Sequence, residues 1–265
     1  MSHFSAPVSH FMSSPVFSVK PDVLLTDVHA EMVSRGVSSL AVIGEGGETC
    51  GVITRTDLLK VGRRQAGARK NASLLTFPNK QAQEAMTTGI VTVTSDDTIE
   101  HAAAVMRKNH YHRIYVEDHG KIVGILSTRD IMLVIAQQKL NKPISTFMSS
   151  PAFTVRAHEP ISLASERLAK AHISGLIVVD NDWPVGIFTQ TVALAATDMP
   201  QDTHTEDVMD SAMLLLSPET PIFRAAEQAA AMEVRRVVAW DGKNIKGILT
   251  GLDFAKAAAP VVSKS

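Results

Sequence analysis

Four copies of one short pattern constrain how this 265-residue sequence can fold. Each copy is a glycine followed by two apolar residues and a hydroxyl residue, and the copies begin at Gly51, Gly124, Gly186 and Gly247. A methionine precedes each glycine by 39, 38, 38 and 38 residues; these methionines are Met12, Met86, Met148 and Met209. Self-similarity at a nearly fixed period predicts an array of four equivalent structural units.

The second copy shows best what one unit contains. Residues 92–94 read as a short strand, and Asp97 with Glu100 three residues later predicts a carboxylate-capped helix start. Apolar residues then recur on one helical face at Ile99, Ala102, Ala103 and Met106. Residues 114–116 and 122–126 flank a polar turn, which is typical of a hairpin. With the helix that follows, the fold class is α/β, of the α+β type, built from four β-α-β-β-α repeats.

A longer repetition groups the four units in pairs. Residues 11–20 return in nearly the same form as residues 147–156, so the odd repeats match each other. The even repeats share a pattern of two basic residues followed by an apolar one, which occurs at residues 112–114 and 235–237. We therefore predict two modules, residues 8–138 with repeats at about 11–62 and 84–138, and residues 144–260 with repeats at about 147–197 and 208–258.

The composition excludes several classes of protein. The chain has 26 basic and 27 acidic residues, so its net charge of -1 gives no global attraction to nucleic acid or anionic membranes. Its single cysteine, Cys50, allows no disulfide within the chain. The first residues do not resemble a signal peptide, and no run approaches the roughly 20 apolar residues that span a bilayer. We expect a cytoplasmic protein.

The repeats, in this order and spacing, resemble the CBS domain, named for cystathionine beta-synthase. Paired CBS domains form Bateman modules, and four in one chain are similar in arrangement to the gamma subunit of AMP-activated protein kinase. The resemblance implies that each module packs two three-stranded sheets face to face, with clefts between repeats for adenosine-containing ligands. AMP, ADP and ATP are the expected ligands, followed by S-adenosylmethionine and NAD. The sequence leaves open whether the modules pack within one chain or between chains.

The hydroxyl residue of each pattern suggests a ligand contact. An aspartate follows it by three residues in three repeats, which gives Thr54 with Asp57, Ser127 with Asp130, and Thr250 with Asp253. A carboxylate can accept hydrogen bonds from both hydroxyls of a ribose, and in the family these positions contact ribose and phosphate. Repeat three has Val192 instead, so we expect a weak or empty site there. The alternative is a helix N-cap that requires no ligand.

Cations near the clefts are the expected phosphate ligands. They are His112 and Arg113 in repeat two, and Arg235 and Arg236 in repeat four. The resemblance implies that His112 and Arg113 serve the Asp57 site, which would be the most complete. Asp130 and Asp253 would face serine and glycine residues, and the arginine pair would face the repeat without an aspartate. The alternative is that these cations form salt bridges or a solvated strand end.

Two further groups of residues are weaker candidates. His101, His110, His112 and His119 lie close in sequence, but no cysteine or carboxylate spacing supports a metal site, and we predict none. Residues 58–83 carry six basic residues and no acid. A solvated linker is the favoured interpretation of this stretch, against contact with nucleotide, an acidic partner or nucleic acid.

Three hypotheses about function follow. We favour a non-catalytic sensor, in which adenine nucleotide binds between repeats and modulates an unidentified partner protein. The alternative is a ligand-independent CBS scaffold that mediates oligomerisation, and in either case we expect a homodimer. An enzyme or a DNA-associated regulator is the third possibility. No catalytic residues or membrane contacts are predicted.

Overall fold

The four repeats fold as predicted in a computed structural model, which describes residues 4–64 and 75–259. Each repeat contributes strand, helix, strand, strand and helix in that order. The helices are α1 (Leu25–Ser34), α2 (Arg55–Val61), α3 (Ile99–Asn109), α4 (Thr128–Gln137), α5 (Ile161–Ala171), α6 (Gln190–Ala195), α7 (Ile222–Ala231) and α8 (Gly251–Ala258). No helix among these described residues is long and apolar enough to cross a membrane.

Each repeat has its own three-stranded sheet, in which the middle strand pairs parallel with the first and antiparallel with the third. The strands of the first module are β1 (Ser18–Val19), β2 (Ser39–Ile43), β3 (Thr49–Thr54), β4 (Arg63–Arg64), β5 (Leu75–Thr76), β6 (Thr92–Val93), β7 (Arg113–Asp118) and β8 (Lys121–Ser127). Those of the second are β9 (Thr154–Arg156), β10 (Gly175–Asp180), β11 (Trp183–Thr189), β12 (Leu214–Leu216), β13 (Arg236–Trp240) and β14 (Ile245–Thr250). The short pair β4 and β5 lies outside the repeats.

The start of α3 differs in one detail from the prediction. Its N-cap is Thr98, whose hydroxyl accepts a hydrogen bond from the His101 N–H at 3.1 Å. Asp97, the predicted cap, instead accepts from the Thr94 N–H at 2.7 Å and so closes the turn before the helix. The predicted apolar face is confirmed, because all four of its residues are fully buried.

The two repeats of a module exchange the segments that precede their first strands. Ser13 of repeat one pairs with Ile125 of repeat two, and Thr87 of repeat two pairs with Val52 of repeat one; the second module repeats this exchange. The crossing explains the recurrent glycine. A Cβ atom on Gly124 would lie 2.3 Å from Met12 Sδ, closer than such atoms can approach. Each methionine therefore packs against the glycine of the partner repeat.

The two modules pack against each other within the chain. Repeats two and four share one hydrophobic core, to which α3, α4, α7 and α8 all contribute buried residues. The starts of α4 and α8 touch, since a Cβ atom on Gly251 would lie 2.4 Å from Thr128 Oγ1. Repeats one and three keep separate cores and meet through α2 and α6.

Candidate functional site

All three hydroxyl–aspartate pairs form capping boxes at the starts of α2, α4 and α8. Thr54 donates through its backbone N–H and its hydroxyl to Asp57 Oδ2, at 3.0 Å and 2.6 Å. The Ser127–Asp130 distances are both 2.7 Å, and those of Thr250–Asp253 are 2.7 Å and 2.8 Å. The motif therefore has a structural role that needs no ligand.

The capping boxes occupy only one oxygen of each carboxylate. Asp57 Oδ1 lies 3.4 Å from the Lys60 ammonium, and Asp253 Oδ1 lies 3.4 Å from the Ser149 hydroxyl. Asp130 Oδ1 accepts no hydrogen bond from the described part of the chain. Asp253 is the most buried of the three, and burial raises its pKa although hydrogen bonds from Thr250 oppose the shift. A free Oδ1 atom is the acceptor that a ribose hydroxyl would need.

Repeat three keeps the cap and lacks the acceptor. The Thr189 hydroxyl accepts a hydrogen bond from the Val192 N–H at 3.1 Å. Val192 packs against the hydrophobic core of its own repeat. This helix start can therefore stabilise the fold but offers no carboxylate to a ligand.

Cations that the sequence analysis assigned to separate sites in the two modules lie near one another in the structure. Arg113 is within electrostatic range of Arg235 from the other module and of Arg55 and Asp130 from its own. Burial lowers the pKa of Arg113, and the charge of Arg235 lowers it further. We call Arg55, His112, Arg113, Arg235 and Arg236 the cationic centre.

The cationic centre is not neutralised by ion pairs within the described residues. None of its four arginines lies within 4.0 Å of a described carboxylate oxygen. Arg236 Nε is buried and has no hydrogen-bond partner there, although Asp210 is within electrostatic range. Clustered cations without carboxylate partners create a strong positive potential that favours an anion.

The lowered pKa of His112 agrees with this positive potential. Its pKa is lowered to about 4, first because the surrounding protein limits hydration of the charged imidazole and then because Arg236, Arg235, Arg113 and His110 lie near. The side chain nevertheless keeps contact with solvent. His112 is therefore a neutral hydrogen-bonding group at pH 7 in the absence of an anion.

The structure adds two residues that the sequence interpretation missed. Arg55 belongs to the cationic centre, and only repeat one has an arginine directly after the patterned hydroxyl. Asp210 follows Met209 at a position where the other repeats have serine or threonine. Both departures from the repeat pattern are visible in the sequence. The described residues contain no group of three or more histidine, cysteine or carboxylate side chains that could hold a metal ion.

Four α/β repeats paired into two modules, each with two three-stranded sheets, define a class of tandem-repeat proteins. A family model for the CBS domain matches residues 8–64, 82–137, 144–196 and 206–260. The chain belongs to the CBS domain family.

Similar proteins support the same architecture. A solved structure from Methanocaldococcus jannaschii, described as a proposed archaeal homologue of g-AMPK, has a TM-score of 0.75 and 16% identity over 95% of this chain and 99% of that one. A conserved protein from Pyrococcus horikoshii has a TM-score of 0.67 and 19% identity over 96% of this chain and 100% of its own. These likenesses show the fold.

An uncharacterized protein of Methanocaldococcus jannaschii is 24% identical over 85% of this chain. The chain spans about half of that relative's length, 54%.

Proposed function

We propose that this chain binds adenosine-containing nucleotides in the clefts between its repeats and thereby regulates a partner protein. The observation that carries the proposal is the cationic centre, which lies beside helix starts whose aspartates keep one carboxylate oxygen outside the capping box. Ribose and phosphate need these two kinds of group, a hydrogen-bond acceptor and a cluster of cations.

The first module offers the best-supported contacts. The ribose hydroxyls would donate to Asp57 Oδ1 or Asp130 Oδ1, while Oδ2 stays in the capping box. Phosphate oxygens would accept from Arg113, which is within electrostatic range of both Arg55 and Asp130. Arg113 offers a planar fork of donors that suits a phosphate group.

The second module offers fewer contacts for a nucleotide. Thr250 and Asp253 would receive a ribose, but the guanidinium of Arg236 in the same repeat lies beside Gly175 of repeat three, where a Cβ atom would be 3.2 Å from Arg236 Nε. Arg236 is opposite Thr250 in the sheet register, as Arg113 is opposite Ser127. Repeat three contributes no carboxylate acceptor at Val192. We therefore expect unequal sites, with tighter binding in the first module.

Regulation follows from the position of the cationic centre. Its residues come from repeats one, two and four, so a phosphate bound there contacts both modules. A ligand that interacts unequally with two arrangements of the modules shifts the balance between them. The partner protein would bind one arrangement more tightly.

A thermal shift series with AMP, ADP, ATP, S-adenosylmethionine and NAD tests the proposal. A ligand at 100 times its dissociation constant stabilises the folded chain by about 2.7 kcal/mol. Asp57→Ala should remove most of the response, whereas Val192→Ala should leave it intact. Each variant is compared with its own ligand-free melting temperature, because Asp57→Ala also removes a cap. No shift with any of the five ligands would contradict the proposal.

A ligand-independent scaffold is the second candidate. It is favoured by the capping boxes, in which all three aspartates already stabilise a helix start. In this case the motif would persist for the fold alone. Light scattering that shows a homodimer insensitive to every nucleotide would support the scaffold, whereas a nucleotide-dependent mass would support the sensor.

A further inference from the structure

Two helix junctions join the modules, and they are related by the repeat symmetry. One is formed by α4 and α7, and the other by α8 and α3. Equivalent positions follow from the helix starts, because Ile99 corresponds to Ile222 and Ser127 to Thr250. His110 then corresponds to Glu233, Arg107 to Ala230, and Leu252 to Arg129.

An ion pair spans the α4–α7 junction. Arg129 Nη1 donates to Glu233 Oε1 at 3.0 Å, and Arg129 Nη2 donates to the Ala230 carbonyl at 3.1 Å. The guanidinium therefore bridges the two modules at this junction. The residues at the equivalent positions of the α3–α8 junction differ from Arg129 and Glu233 in charge.

The α3–α8 junction lacks this bridge and contains a cleft of about 420 Å³. Leu252 replaces the arginine, and His110 replaces the glutamate. His110 and Glu233 both have left-handed backbone conformations, with φ of 55° and 57°, so the two positions match in conformation as well as in sequence. The cleft volume lies in the range of small-molecule sites.

The cleft carries an excess of positive charge. Arg107, Lys108 and Lys256 line it, and Asp253 is the one carboxylate among the lining residues. Three cations and one carboxylate leave a net charge of +2 among these four residues. None of the three cations has an ion pair within the described ranges; Lys256 Nζ lies 3.5 Å from the Phe147 carbonyl.

We propose that the α3–α8 cleft is a separate binding site for a small organic phosphate. The cations would hold the phosphate group, and Ala104, Leu252 and Ala259 would contact a short apolar part. The site lies between helices of different modules and shares Asp253 with the ribose position proposed for repeat four, but the cations that line it are not part of the cationic centre. Because the lining residues come from repeats two and four, an occupant would bridge the junction as Arg129 bridges the other one.

Phenyl phosphate is a suitable probe, with phenol as its uncharged counterpart. The full chain is labelled with ¹³C at its alanine methyl groups, and the methyl signals of Ala104 and Ala259 are followed during titration. We expect both signals to shift to saturation with phenyl phosphate and to remain in place with phenol at equal concentration. Absence of a saturable shift would overturn the proposal.

Two double variants locate the site. Lys108→Ala with Lys256→Ala should weaken binding at least about tenfold, since each charged hydrogen bond contributes that much. His110→Glu with Leu252→Arg transplants the bridge of the other junction and should abolish binding. Lys80→Ala with Lys121→Ala removes two exposed lysines elsewhere and should have no effect. Equal affinity in the wild type and both cleft variants would overturn the proposal.

The test is independent of the proposed nucleotide function. The Lys108→Ala, Lys256→Ala chain should bind phenyl phosphate at least about tenfold more weakly and keep its thermal response to nucleotide. If the response to nucleotide is absent while the methyl shifts are present, the nucleotide function fails and the cleft proposal stands.

Discussion

The arginines of the cationic centre lie near other cations and form no ion pair with a described carboxylate, although Asp130 and Asp210 are within electrostatic range. Burial lowers the pKa of Arg113 and of Arg236, and the nearby positive charge of Arg235 lowers both further. A protein gains no stability from such an arrangement in the absence of an anion. Perturbed charges of this kind cluster at functional sites, which is why the cationic centre is the basis of the proposed function.

The substitution Arg235→Gln distinguishes these roles. Removal of one exposed charge relieves repulsion, so the melting temperature of the ligand-free chain should stay the same or rise, by up to about 3 °C. The nucleotide-induced shift should become smaller. Arg224→Gln, which removes an exposed arginine of α7, serves as the control. A lower ligand-free melting temperature with an unchanged nucleotide response would show that Arg235 is structural.

The aspartates illustrate how far the sequence could go at this scale. Asp57 was open to two interpretations, a ribose contact and a helix cap, and both require the same residue at the same spacing. In the structure the two carboxylate oxygens of Asp57 differ, because Oδ2 is in the capping box and Oδ1 is outside it. Sequence patterns specify residues but not individual oxygen atoms, so the sequence could not show that Asp57 caps the helix through Oδ2 alone and that Oδ1 lies near Lys60.

At the scale of elements, the exchanged segments determine where glycine is required. The atoms that a new Cβ would meet differ between repeats. At Gly124 they all belong to the Met12 side chain, which can rotate away. At Gly51 the nearest atom is the Thr87 carbonyl oxygen, 2.5 Å away, and the pairing of Thr87 with Val52 holds it in place.

Alanine substitutions at these two glycines should therefore differ in cost. Gly51→Ala forces backbone movement and should destabilise the chain by about 1–3 kcal/mol. Gly124→Ala should cost less, and Met12→Ala in the same chain should recover part of that cost. Urea denaturation measures both free energies of unfolding. Equal costs at the two positions, with no recovery by Met12→Ala, would refute the exchanged packing.

The sequence predicted these elements well because the helix and strand periods are local. The spacing from methionine to glycine was also visible, but the constant spacing within a repeat hid the true partner. Met12 contacts Gly124 and not Gly51 of its own repeat. Because the period is the same in every copy, periodicity alone could not reveal exchange between copies. The Asp97 prediction failed for a different reason, since Asp97 and Thr98 are adjacent and both are good caps.

At the scale of the whole molecule, the two sides of the module interface differ. Repeats two and four bury residues such as Ile131, Ala226 and Phe254 in one shared core. Repeats one and three have separate cores, and α6, at the contact between them, has no fully buried residue. The sequence could not predict this asymmetry, because which helices meet depends on how the modules dock. For the same reason the sequence could not predict that Arg113 and Arg235, from different modules, lie within electrostatic range of each other.

Hydrogen exchange should reveal this difference. Amides of α3, α4, α7 and α8 should exchange most slowly, because their opening disrupts a core that both modules share. Amides of α1, α2, α5 and α6 should exchange faster. Mass spectrometry of peptides from each helix makes the comparison within one sample. Protection of α5 and α6 equal to that of α4 would contradict the proposed asymmetry.

The central claim is that phosphate on the cationic centre contributes to nucleotide binding, and calorimetric titration with AMP and adenosine tests it most directly. We predict that AMP binds at least about tenfold more tightly than adenosine, since charged hydrogen bonds to phosphate are strong. Arg113→Gln should largely remove this difference while adenosine binding is retained. No binding of AMP, or equal affinity for AMP and adenosine in the unmodified chain, would contradict the account.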